Sequence, residues 1–271
     1  MTAVLAPVDG AFRARLGEQD WAAASEGVPG LPGWAGVLAV DRDGSAAAPP
    51  PAADAARSPA DVDPALRAAV EGGAAALVAV EVAVAAGERA LLAVLWSDTD
   101  AGSGLARGVD VVPGGGLAGT TPRPGVEVSA FPTSQLVDEV LRHVPAAPVR
   151  VVAAPATVPE ELTIALAQAI RTGDTTTVDA LCAELGTDGP PAVVEAAVRG
   201  TDGSLVVSVA SRGRRDVSTL SLLRTDAGWV ELTRTADGQV VHTSRSREDV
   251  RAALLYDLTG RFTTATTEDD A

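Results

Sequence analysis

The chain has 271 residues, of which 46 % are hydrophobic but only 3 % aromatic, and a formal net charge of −15 at pH 7. Such a charge repels phosphate backbones and anionic headgroups, which excludes nucleic acid and membrane surfaces as expected partners. All 21 basic residues are arginine, so a P-loop lysine, a Schiff-base lysine and a Ser–Lys dyad are ruled out.

The lone cysteine, Cys182, leaves no disulfide framework or thiolate metal cluster and suits a reducing compartment. The N-terminus lacks the basic and apolar regions of a signal peptide, and no stretch reaches the ~18 apolar residues of a membrane span. A cytoplasmic location without membrane insertion is expected. A chain of this length can bury about three quarters of its unfolded surface, as one large or two ordinary domains, with a core made mostly of Ala, Val and Leu.

Residues 1–60 form a poorly defined N-terminal segment. Trp21 and Trp34 stand there among Gly and Pro that favour short elements, and an Ala/Pro-rich loop at about 44–62 holds too few large apolar groups to offset the entropy of ordering. From residue 61 the signals sharpen. Asp63 caps a short helix with Pro64 in its first turn and glycines at its end. Two apolar runs around "AAGE" predict a hairpin, and "GVDVV" and "VEVSAF" predict two more strands. In "TSQLVDEVLRHV", Leu136, Val137, Val140, Leu141 and Val144 fall on one helical stripe that Pro145 ends.

Residues 146–174 read as a bridging strand, turn and helix. The second half, 175–262, opens with a short helix over "TVDALCAEL" and continues with "PAVVEAAVRGTDGSLVVSVASRG" as a hairpin turning at Asp202-Gly203. Turns at residues 226–228 and at Asp237-Gly238 bracket a strand. The last helix is expected over residues 246–258, opened by a Ser246/Asp249 capping box and stopped by Gly260, before a disordered tail at 263–271.

The halves 61–145 and 175–262 share this order of elements. Leu136, Val140, Leu141 and Val144 precede Val250, Leu254, Leu255 and Leu258 by a constant 114 positions, as Val80-Glu81 precedes Val194-Glu195. A period this long does not suit a solenoid. It predicts an α+β fold, a pseudo-twofold pair of similar halves with an antiparallel sheet packed with helices.

The order of "VDPALRAAVEGG", "VAVEVAVAAGERALLAVLWSD", "VEVSAFPTSQLVDEVLRHVP" and the closing "TDAGWVELTRT" with its terminal helix resembles the EspG family of actinobacterial type VII secretion. The resemblance covers about residues 61–261. Residues 1–60 depart from it, since the family usually opens with a longer helix and a proline-containing strand of which "VPGLPGWAGVLAV" is a trace. The resemblance implies a non-catalytic cytosolic chaperone that binds small helical secreted proteins, shields the tip of their helical hairpin and keeps them soluble for export. It also implies that the connection at residues 98–107 approaches the substrate, which makes Asp98, Asp100, Leu105 and Arg107 the candidate partner-binding residues.

Catalytic and cofactor readings fare worse. "GGGLAG" at residues 114–119 matches a dinucleotide fingerprint, but Pro122 and Pro124 forbid the helix that would hold the pyrophosphate. "DTDAGSG" begins like a calcium loop, yet Ser103 stands where the turn glycine belongs and Val109 where the bidentate glutamate belongs. His143 is placed against a helix C-terminus, His242 sits in a strand, and Cys182 reads as a buried small hydrophobe. No cofactor, metal site or catalytic residue is expected. The alternative is a small-molecule-binding or hydrolytic α+β protein with a site between sheet and helices, which a polar pocket at His143 or His242 would support.

Overall fold

The computed structural model describes residues 4–5, 10–38, 62–111, 120–146, 154–226 and 228–268. Its first part runs β1 (Val4–Leu5), β2 (Phe12–Leu16), α1 (Glu18–Ser25), α2 (Pro64–Glu71), β3 (Val78–Ala86), β4 (Arg89–Ser97), β5 (Ala101–Val111), β6 (Thr120–Pro122), β7 (Val126–Pro132) and α3 (Leu136–His143). The second runs β8 (Ala156–Pro159), α4 (Glu160–Thr172), α5 (Thr175–Glu184), α6 (Ala192–Arg199), β9 (Gly203–Ser211), β10 (Val217–Thr225), β11 (Gly228–Arg234), β12 (Gln239–Arg245) and α7 (Arg247–Glu268).

Alternation of large and small side chains sets the sheet. On β3, Val78, Val80, Val82 and Val84 are buried while Ala79, Ala83 and the exposed Glu81 point to the other face. β9 repeats this with Leu205, Val207 and Val209 inward. The two strands pair antiparallel along their whole length, Val78 opposite Ser211 and Ala86 opposite Gly203. All described strands thereby join one sheet of 12, in the order β1-β2-β7-β5-β4-β3-β9-β10-β11-β12-β8 with β6 beside β5.

One face carries α3 and α7. Leu136, Val140 and Val144 of the first and Val250, Leu254 and Leu258 of the second pack on the inward residues of β3 and β9. The helices run antiparallel: Arg247 donates to the carbonyls of Val144 (2.9 Å) and Leu141 (2.8 Å), and Arg251 reaches back to Asp138. The other face has two separate cores. Trp21 of α1 and Leu66 and Val70 of α2 cover Leu105, Val126 and Val128, while Leu166 and Ile170 of α4 and Val193 and Val194 of α6 cover Val158 and Val230.

Several expected elements are present. Asp63 accepts from Ala65 N (2.8 Å) at the start of α2, β3 and β4 turn at Gly87, and the capping box of α7 is closed in both directions, Ser246 N to Asp249 Oδ2 at 2.8 Å and Asp249 N to Ser246 Oγ at 3.1 Å.

Four expectations are corrected. "AVVEAAVR" is the helix α6, not a strand: Val193, Val194 and Ala197 form a helical stripe in an apolar run too short for its period to be decisive. Val194 therefore has no correspondence with Val80 of β3, and the 114-residue interval is confined to the helices. α7 continues through Gly260, because Phe262 still packs on the core and Ala265 is still buried, and this burial outweighs the hydroxyls of Thr263, Thr264, Thr266 and Thr267, which bond to carbonyls one turn back and do not favour helix. Residues 263–268 are thus helical. Residues 10–38 are also built in, with β2 paired to β7 and Trp21 fully buried. Most of the Ala/Pro-rich stretch, residues 114–119 and most of the bridging strand lie outside the described residues.

Because both halves share the β3–β9 ladder, urea unfolding should be a single transition. Leu205→Ala, at a fully buried position, should lower stability by about 3 kcal/mol, while Thr219→Ala on the exposed side of β10 should stay within about 0.5 kcal/mol.

Candidate partner-binding surface

Residues 98–100 make the tight turn between β4 and β5. Asp98 closes it with its own carboxylate, which accepts the amides of Asp100 (2.7 Å) and Ala101 (2.8 Å). Those amides, Ala101 first and Asp100 second, hold the Asp98 carboxyl below the ordinary carboxylate range. The Thr133 hydroxyl donates to the Asp98 carbonyl (3.0 Å), which ties the turn to the start of α3. Asp100 is exposed at the tip.

Leu105 and Arg107 stand elsewhere. Residues 98–107 are expected above as a connection, but from Ala101 onward the segment is the first part of β5. Glycine is needed there because a Cβ at Gly102 would meet the Phe131 ring at 2.2 Å. Both side chains are only 1 % exposed. Leu105 packs in the core under α1 and α2. Arg107 donates to Glu18 Oε1 (2.9 Å) and to the carbonyls of Trp34 (3.1 Å) and Gly36 (2.6 Å). Glu18 in turn accepts the amides of Gly125 (2.7 Å) and Leu38 (2.9 Å). These two residues fix the N-terminal segment to the sheet and have no surface to offer a partner.

Beside the turn, α2 and the hairpin enclose a cavity of about 350 Å³ walled by Ala65, Ala69, Gly72, Trp96, Asp98 and Ser103 among others. The Ser103 hydroxyl is buried there without a hydrogen-bond partner among the described residues. From this cavity a strip of bare sheet leads away between the two cores. α2 packs over β5 and β7, and α6 over β10 and β12. Between them Ala83, Leu92, Val206 and Ser208 are half-buried, and Glu81, Thr219 and Ser221 are exposed. From β5 to β10 is four strand spacings, roughly 19 Å. Allowing for the flanking helices, that leaves room for about one more helix of ~10 Å diameter. No motif singles out Ala83 or Ser208. The available signal is the run of small residues at alternate positions, Ala79, Ala83 and Ala85 of β3 and Ser204, Ser208 and Ala210 of β9, interrupted by Glu81 and Val206.

The two histidines lie on other elements than this turn. His143 at the end of α3 adjoins Arg142 (Nη2 to Nε2, 3.3 Å). Burial first, then the Arg142 charge, lowers its pKa to about 4 against the opposing pull of Glu139. Glu139 is itself buried and paired with both Arg13 and Arg142, which together outweigh the cost of its burial and keep its carboxyl below the usual range. His242 faces Leu232 and Ala156 across the sheet and is 2 % exposed. Burial lowers its pKa too, partly offset by the carbonyls of Val240 and Ala156. Neither ring lines the cavity beside α2. Among the described residues no group of three or more His, Cys, Asp or Glu is placed to hold a metal, and no helix is long and apolar enough to cross a membrane.

Arg107→Ala should cost about 3–5 kcal/mol, since it strands the Glu18 charge in the interior, and the double variant Glu18→Leu/Arg107→Met should recover only part of that loss in urea melts, because the carbonyls of Trp34 and Gly36 and the amides of Leu38 and Gly125 then lose their partners. A pH effect should accompany His143. Its folded pKa of about 4 lies below its ordinary 6.5, so the unfolded chain binds the extra proton between those values. The stability involved is complete above pH 6.5 and is lost as pH falls through the window. His143→Gln should flatten the stability profile there.

No family model and no curated relative matches the chain. Among solved structures, the fold is similar to that of the Mycobacterium tuberculosis type VII secretion system chaperone EspG5, solved in complex with a PE25-PPE41 dimer, at a TM-score of 0.44 and 12 % identity over 70 % of this chain and 76 % of that one.

Proposed function

We propose that the protein is a non-catalytic cytoplasmic chaperone that receives a helical tip of a small helical type VII secretion substrate in the strip of bare sheet between α2 and α6, and keeps that substrate soluble for export. The observation that carries this reading is the strip itself. It is about one helix wide, and Ala83 and Ser208 on its floor are small enough for a helix backbone to approach closely. The Asp98–Asp100 turn stands at one end of it as a polar rim. The sequence resemblance to the EspG family supplies the substrate class. His242 and Cys182 are both buried, which speaks for binding over catalysis.

The reading includes a sheet built from two similar halves. It is supported by the order outward from the β3–β9 seam, with β4, β5 and β7 on one side and β10, β11 and β12 on the other, each series closed by a helix on the same face. Three of the four helix pairs separated by 114 positions are buried in both members. The exception is Leu255, exposed where Leu141 is buried.

Co-expression with the small helical proteins encoded beside it should give a soluble stoichiometric complex. Ala83→Arg, which adds a long cation to the floor, should abolish co-purification and leave the melting temperature of the free protein unchanged. Neighbours that are soluble alone and never co-purify would remove the reading.

A further inference from the structure

On the opposite face of the sheet, the outer side of α7 carries Leu255 and Tyr256, 54 % and 86 % exposed. Leucine at the first position is unexpected, because the helix already buries Val250, Leu254 and Leu258. Between α7 and the turn from β9 to β10 lies a groove of about 700 Å³, lined by both residues together with Ser211, Arg214 and Asp216. The Ser211 hydroxyl is buried there without a partner among the described residues. Asp216 is occupied, paired with Arg214 and Arg261. The same turn also exposes Arg212 and Arg215, and neither makes an ion pair among the described residues. Asp257, which also lines the groove, is paired with Arg261, so in a chain of net charge −15 Arg212 and Arg215 give the turn a local excess of positive charge beside the exposed apolar side chains.

We propose that this groove docks an amphipathic helix of a partner protein, whose apolar residues cover Leu255 and Tyr256 and whose flanking carboxylates meet the arginines of the turn. Guanidinium forks suit carboxylates, and an aromatic residue ringed by charge is the usual anchor of such a contact. The surface is separate from the strip of bare sheet, so the two readings stand or fall independently.

The test uses a fluorescently labelled 20-residue peptide with Leu at helical spacing and Glu on the flanks, and a counterpart with Lys in place of Glu. The Glu peptide should bind the full chain, more weakly as salt rises, and the Lys peptide should not. Arg212→Glu/Arg215→Glu and Leu255→Ser/Tyr256→Ser should each weaken binding about tenfold, with circular dichroism unchanged because all four side chains are exposed. Ala83→Arg should leave peptide binding intact. Equal binding of the two peptides, or binding unmoved by either double variant, overturns the proposal. So does loss of binding in Ala83→Arg, which would place the peptide on the other face. Self-association in sedimentation that Leu255→Ser/Tyr256→Ser removes would assign the surface to a second copy of this chain and overturn it equally.

Discussion

The antiparallel ladder between β3 and β9 is the constraint on which the other features rest. Its strands are distant in sequence, so it forms only at the cost of closing a long loop. Once formed, it makes one sheet of two and fixes where every helix can pack. The contact is close: a Cβ at Gly203 would lie 2.2 Å from the Ala85 carbonyl oxygen, so the end of the ladder accepts only glycine there. Valines on one side of the ladder bury α3 and α7. On the other side Ala83, Ser208 and the exposed Glu81 anchor none of this chain's own described helices, and the two cores on that face form apart, over the flanking strands. The bare strip follows from the composition of the seam.

A second fixed point ties down the N-terminal segment. Glu18 and Arg107 lie 89 positions apart in sequence, and each satisfies backbone groups that the fold would otherwise bury unpaired. Arg107 takes two carbonyls from the turn around Trp34, and Glu18 takes two amides. A pair of this kind contributes less through its net charge attraction than through the specificity of what it holds, since burying both ions offsets much of the Coulomb gain. Here it determines how residues 17–38 lie on β5 and closes the core around Trp21.

Elements whose signals are local were legible in the sequence. The Asp63 cap, the capping box of α7, the stripe of α3 and the turn at Gly87 each depend on residues within a few positions of one another. Elements decided by distant contacts were not. β5 reads as a glycine-rich connection until Phe131 is placed against Gly102, and α7 reads as ending at Gly260 until the sheet is there to receive Phe262 and Ala265. α6 is eight residues of mostly Ala and Val, a run that suits a strand or a helix equally. The candidate site divides along the same line. The role of Asp98 is local, because its carboxylate accepts the amides of Asp100 and Ala101. The contacts of Arg107 were not legible, because Glu18 and the carbonyls it binds come from the segment with the weakest local signal.

The edges of the sheet bear on how a partner could approach it. One edge is β1, two residues long, and the other is β8, four residues that end in Pro159 and follow Pro155. Short strands with prolines present few free amides, and strand addition there would gain few hydrogen bonds. β3 and β4 are paired on both sides along their whole length, whereas Val217–Ser221 of β10 pair with β9 alone. Over the seam what this architecture leaves for recognition is the face, and on a face the complement to small side chains such as Ala83 and Ser208 is a convex element such as a helix. Wide spacing between α2 and α6 and blunt edges act in the same direction: the first admits a helix to the middle of the sheet, and the second removes the competing mode of attachment at its ends.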